Sequence, residues 1–110
     1  MLEHTLRKIE ERLRGAGTLE SGQKSELLEL VKALKEEISA LEVSQPDQAH
    51  SIAGFADVST HEAMRAGKSP ELLSHAVGGL SSSVQGFEQA HPRLTEVVNR
   101  LAVLLSNMGV

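Results

Sequence analysis

Leu27, Val31, Leu34, Ile38 and Leu41 step along the chain by four, three, four and three residues, and no other feature limits the possible folds so sharply. That spacing follows one face of a 3.6-residue helix and is incompatible with the two-residue period of a strand. Leu2, Leu6, Ile9 and Leu13 repeat it upstream. Between the two runs, "GAGT" at 15–18 predicts a break, with Gly15 or Gly17 in the left-handed C-cap conformation and Thr18 or Ser21 capping the second helix. Glu26, Glu29, Lys32, Lys35, Glu36 and Glu37 fall on the outer faces. Residues 1–43 therefore read as a charged antiparallel helical hairpin.

A longer stripe occupies the second half. Leu73, Val77, Leu80, Val84 and Phe87 keep the four-three step, His91 fills the next slot, and Leu94, Val98, Leu101, Leu105 and Met108 continue in register. Pro92 interrupts it. Proline inside a helix removes a hydrogen bond and clashes with the preceding turn, at about 3 kcal/mol, and it disfavours helical geometry at the residue before it. Kink and break are both compatible with the pattern, so the expectation is a change of direction at His91 and Pro92. Upstream, residues 44–50 read as a linker broken by Pro46, followed by a lightly apolar helix over about 47–65 carrying Ile52, Phe55, Ala56, Ser59, Ala63 and Ala66. Ser69 and Pro70 suit the N-cap and first position of the next helix. The fold class expected is all-α: one 110-residue domain of a helical hairpin (1–43) and two or three further helices (51–110), forming an elongated bundle or a coiled-coil-like assembly.

Composition narrows the function. Phe55 and Phe87 are the only aromatic residues, and there is no cysteine, so the core must be aliphatic, and disulfides, thiolate catalysis and cysteine-ligated metals are excluded. The N-terminal "MLEHTLRKIEERL" has the pattern of neither a signal peptide nor a membrane span, and a cytoplasmic protein is expected. A net charge of −4 with acids and bases interleaved offers no basic face for nucleic acid.

The second half is similar to a bacterial family catalogued as domain of unknown function 4404. The likeness rests on F-E-x-x-H-P-x-L at Phe87, Glu88, His91, Pro92 and Leu94 and on the closing L-x-N-M-G-V, and extends more weakly over residues 1–45. Family members often carry serine where this chain has Ala90. The resemblance implies small all-helical proteins and brings no activity or catalytic residue with it.

Chemistry-bearing residues are few. Glu88-x-x-His91 and Asp47-x-x-His50 have the spacing of helical metal ligands, but a di-iron bundle needs two such motifs and two further glutamates, and the stronger of these runs into Pro92. Asp57 with His61, and Glu71 with His75, are i, i+4 pairs of the kind that stabilise helix surfaces. "GGLSSS" lacks the strand-turn-helix setting of a nucleophile elbow or a phosphate loop. The sequence thus assigns no catalytic, cofactor-binding or metal-binding residue and names no cofactor, and no enzyme is expected.

The charge distribution points instead to association. Residues 1–45 hold 16 of the 26 charged side chains, while 72–87 and 101–110 hold none, leaving little to solvate an outward face. The expectation is a self-associating helical interaction or structural module, most simply a homodimer. Its seam would include Leu73, Val77, Leu80, Val84, Phe87, Leu94, Val98, Leu101, Leu105 and Met108. The alternative is a small ligand- or metal-binding bundle using histidines and carboxylates.

Overall fold

A computed structural model describes residues 2–17 and 19–108. Five helices follow one another: α1 (Leu2–Arg14), α2 (Ser21–Ser44), α3 (Pro46–Met64), α4 (Pro70–Ser82) and α5 (Pro92–Met108), with no strand among the described residues. The extents of 37 × 24 × 23 Å and a radius of gyration of 13.0 Å fit a moderately elongated bundle at the density of an ordinary domain.

All three prolines open helices. At the first helical position the missing N–H has no acceptor to lose and the fixed φ is already helical. Pro92 therefore marks a break and not a kink. The carbonyl of His91 accepts the first bond of α5, from the Thr95 amide at 3.1 Å, and the Thr95 hydroxyl also donates to it at 3.2 Å. α4 has already ended at Ser82, ten residues before the proline that the stripe runs through. Between them the chain winds through tight i→i+3 turns: Val84 N to Ser81 O, Gln85 N to Ser82 O, Phe87 N to Val84 O. Gly86, at φ +88°, is the one residue with positive φ among those described, and it turns the chain back. The hydrophobic step survives the break because Val84 is buried from the turn and Phe87 packs against the core.

Other local expectations are corrected. Neither Gly15 nor Gly17 is left-handed; the amide of Gly15 donates to Glu11 O at 3.0 Å and that of Ala16 to Leu13 O at 3.3 Å, so α1 ends on a tightened last turn. Thr18 lies outside the described residues, and Ser21 is the first residue of α2 and not its cap. Glu20 holds the cap position without a side-chain bond. The linker expected over 44–50 shrinks to Gln45 alone. Ser69 caps α4 as expected, its Oγ accepting from the Leu72 amide at 3.3 Å.

α3 is the hub. It packs against each of the other four helices, whereas α2 meets α1, α3 and α5, and α4 meets α3 and α5. A helix approached from several sides must be thin, and its buried positions are Ala49, Ile52, Ala53, Ala56, Ser59, Thr60 and Ala63, together with the ion-paired Glu62. Its light apolar character is the consequence of that central place. Around it, Leu6, Ile9 and Leu13, then Leu27, Val31, Leu34 and Ile38, Leu80, and Leu94, Leu101 and Leu105 close one continuous aliphatic core.

Candidate functional site

The polar groups that reach the interior are engaged with one another. The Arg12 guanidinium on α1 donates through one nitrogen to the Asp57 carbonyl (3.2 Å), the Asp57 carboxylate (3.2 Å) and the Thr60 hydroxyl (2.9 Å) on α3. Lys8 reaches the other Asp57 oxygen at 3.3 Å. Glu10, buried on α1, accepts from Lys35 of α2 at 3.2 Å, and the buried Glu62 accepts from Arg65 at 3.0 Å. The Asp57 and Glu10 contacts pin α1 to α3 and α2, while Glu62 is paired locally at the end of α3, as expected of carboxylates placed near a core. Ser59 Oγ is the buried side-chain polar atom without a partner among the described residues.

The histidines do not converge on a ligand set. Among the described residues no three His, Asp or Glu side chains come together as a metal site. Glu88 and His91 lie in the turn before α5, so their spacing does not align them along a helix. The His91 ring instead leans on Phe87, with centroids 5.5 Å apart. Asp57 turns to Lys8 and Arg12 rather than to His61, while His75 stands 3.9 Å from Glu71 on the surface. His4 and His50, with Leu2 and Thr5, line one open groove between α1 and α3.

The stripe assigned to a seam between copies lies inside the chain. Leu73, Val77, Leu80, Val84, Leu94, Val98, Leu101 and Leu105 are buried, and Phe87 and Met108 are half-buried against the same core. Five helices in one chain suffice to cover it, leaving Phe87 and Met108 partly exposed and Val77 at the edge of a surface groove.

What faces outward from α4 and α5 is a shallow groove between them. Val77 and Ser81 form one wall, Asn99, Ala102, Val103, Ser106 and Asn107 the other, and none carries a charge. Val103 is 59% exposed at its rim. A second groove, between α2 and α5, differs sharply: Glu26, Glu29, Glu96, Arg93 and Arg100 line it over Leu30, Ala33 and Val97. Its arginines are tied across it, Arg93 to Glu37 at 3.6 Å and Arg100 to Glu26 at 3.7 Å. α5 thus shows a charged flank toward α2 and an uncharged one toward α4. The uncharged flank is the part that sequence reasoning missed. The absence of charge over 101–110 is legible in the sequence, but Val103, Asn99 and Ser106 fall off the stripe and carry no periodic signal of their own.

A family model described as Domain of unknown function (DUF4404) matches residues 56–110, half of the chain. The chain belongs to the DUF4404 family. The match is shorter than the sequence resemblance suggested, covering the second part of α3, α4, the turn with Phe87, His91 and Pro92, and α5, and leaving out α1 and α2. The DUF4404 segment therefore contains both walls of the uncharged groove. Gly109 and Val110 of the closing motif lie outside the described residues. No curated protein and no solved structure matches the chain. No helix of the described residues is long and apolar enough to cross a membrane.

Proposed function

We propose that this DUF4404 protein is a non-catalytic, self-associating helical module, two copies meeting through the outer face of α4 and α5. The observation that carries the reading is the uncharged groove between these helices, with Val103 exposed on its rim, in a chain whose other helices are studded with ion pairs. Across a two-fold axis each group near the centre meets its own copy, so a charged side chain there would face a like charge. Serine and asparagine both donate and accept hydrogen bonds and can pair with themselves. α5 has 17 residues, about 25 Å at 1.5 Å per residue, and two helices side by side are roughly 20 Å wide; a face of about 500 Å² is that of a small, reversible contact, below the ~800 Å² per partner of a standard interface.

Sedimentation equilibrium from 1 to 200 μM tests this. A mass near twice 11.8 kDa is expected for the unaltered chain, and a mass near 11.8 kDa for Val103→Glu with unchanged helical content. A monomer throughout that range for the unaltered chain would overturn the reading.

A further inference from the structure

Three contacts fix α1 beside α3. Asp57 is reached from Lys8 at 3.3 Å and from Arg12 at 3.2 Å, and Arg12 also donates to Thr60 at 2.9 Å, so the two helices run parallel and Asp57 stands level with the turn between Lys8 and Arg12. Both lines continue toward the start of α1. His50 comes two turns before Asp57 on α3, and His4 one turn before Lys8 on α1. Carried back by the same rise per residue, His50 falls level with the first turn of α1. There the two histidines, with Leu2 and Thr5, line a single groove. Among the described residues, the histidines that stand near a carboxylate are His61 and His75; His4 and His50 meet none, and both are exposed.

We propose that His4 and His50 together bind an exchangeable divalent first-row metal ion, copper(II) foremost. Neutral imidazole is a ligand for zinc, nickel and copper. One histidine on each of two helices already held in place gives up less freedom on binding than two on flexible segments, and because both are exposed they turn toward one ion without opening the core. Two nitrogens fall short of the three or four protein ligands of a resident zinc centre. They suit an ion whose other positions are filled by water, and copper(II), which takes nitrogen and oxygen ligands in tetragonal geometry, stands at the top of the divalent affinity order. α1 packs on α2 and α3 and on neither α4 nor α5, so this site is independent of the self-association face.

Copper(II) chloride titrated into the full chain by isothermal calorimetry tests the site, with the electron paramagnetic resonance spectrum of the loaded protein read for nitrogen splittings. One ion per chain and splittings from two imidazole nitrogens are expected. His4→Ala and His50→Ala should each keep the helical content and weaken binding at least tenfold, while His75→Ala, on the surface of α4, should stay within twofold. Because the ion spans two helices, copper should raise the thermal midpoint of the unaltered chain and not that of either variant, and it should leave the mass in sedimentation as it was. No binding at equimolar copper, affinity that survives the loss of either histidine, or a mass that rises with copper because the ligands sit on different copies overturns the proposal.

Discussion

Gly79→Ala in α4 sets two effects of similar size against each other. Helix propensity favours alanine by about 1 kcal/mol. The added carbon, however, would collide with the Phe55 ring, 2.9 Å from Cζ and nearer to Cε1 and Cδ1, so the ring must shift, at most giving up its contact with α4. Phe55 keeps 40% of its surface exposed, and roughly three-fifths of a full phenylalanine burial of ~1.5–3 kcal/mol, about 1–2 kcal/mol, is at stake. The net change should be between zero and about 1 kcal/mol of destabilisation. Removing the ring first reverses the sign: in a Phe55→Ala background, Gly79→Ala should stabilise by about 1 kcal/mol, giving a coupling of about 1–2 kcal/mol in the double-mutant cycle.

Urea unfolding followed by circular dichroism at 222 nm measures all four proteins, and it suits a chain with no tryptophan or tyrosine. The expected coupling corresponds to roughly 4–8 °C per kcal/mol in thermal midpoint for a domain near this size. If Gly79→Ala stabilises equally with and without the Phe55 ring, the close approach of α3 and α4 is not what requires a glycine there, and the reasoning fails.

Changes at four further residues probe the helix starts and the α1–α3 clasp. Ser69→Ala removes the acceptor of the Leu72 amide and should cost about 1 kcal/mol by urea unfolding, with Ser69→Asp restoring most of it. Pro92→Ala loses a residue already held in helical φ at the start of α5 and should destabilise by about 0.5–1 kcal/mol through the entropy of the unfolded chain; a change under 0.5 kcal/mol would show that this proline satisfies no such constraint. Asp57→Ala leaves Arg12 and Lys8 without their carboxylate in a half-buried setting and should cost about 1–3 kcal/mol, while Lys8→Ala alone, at an exposed nitrogen, should cost under about 1 kcal/mol.

The helices that the sequence displayed most plainly were those with one partner-facing side. In α2, Leu27, Val31, Leu34, Ile38 and Leu41 are all buried and the charged residues stand outside, because a helix covered on one side needs only one stripe. α3 was harder to read because contact on several sides calls for small residues, and Ala49, Ala53, Ala56 and Ser59 weaken the apolar signal in the very places where packing is tightest. The break before α5 was ambiguous for another reason. The nine residues of the turn send Val84 and Phe87 back onto the core without being helical, so the four-three spacing of large apolar residues runs on to Leu94 although the helix does not. Caps defined by adjacent side chains, as at Ser69, are readable, whereas the end of α1 is closed by the Gly15 and Ala16 amides and by Lys24 Nζ, which donates to the Arg14 carbonyl at 3.1 Å from ten residues on, a set with no local residue signature. At the candidate site, the missing charge was visible but not the face it belonged to, since a stripe of large aliphatic residues marks what a chain buries in itself before it marks what it offers to another.

Leu101 and Val103 allow that distinction to be measured on one helix. They are two residues apart, about 200° around α5, so that Leu101 is fully buried and Val103 is 59% exposed. An aspartate at Leu101 removes an aliphatic side chain whose loss alone is worth ~2–5 kcal/mol in a core, and it adds a carboxylate with no partner, which costs several kcal/mol more unless protonated. Against a total stability of roughly 5–15 kcal/mol for a domain of this size, Leu101→Asp should largely unfold the protein. Val103→Asp changes a side chain that solvent already reaches, and its effect on the isolated fold should stay within about 0.5 kcal/mol. In the assembled pair, the same aspartate would be buried against the other copy and should abolish association. Circular dichroism and sedimentation on the two variants separate the roles: helix lost in the first, helix kept and mass halved in the second. Should Leu101→Asp remain folded and merely dissociate, the stripe would belong to a seam between copies after all, and the single-chain core described above would be the wrong account of this protein.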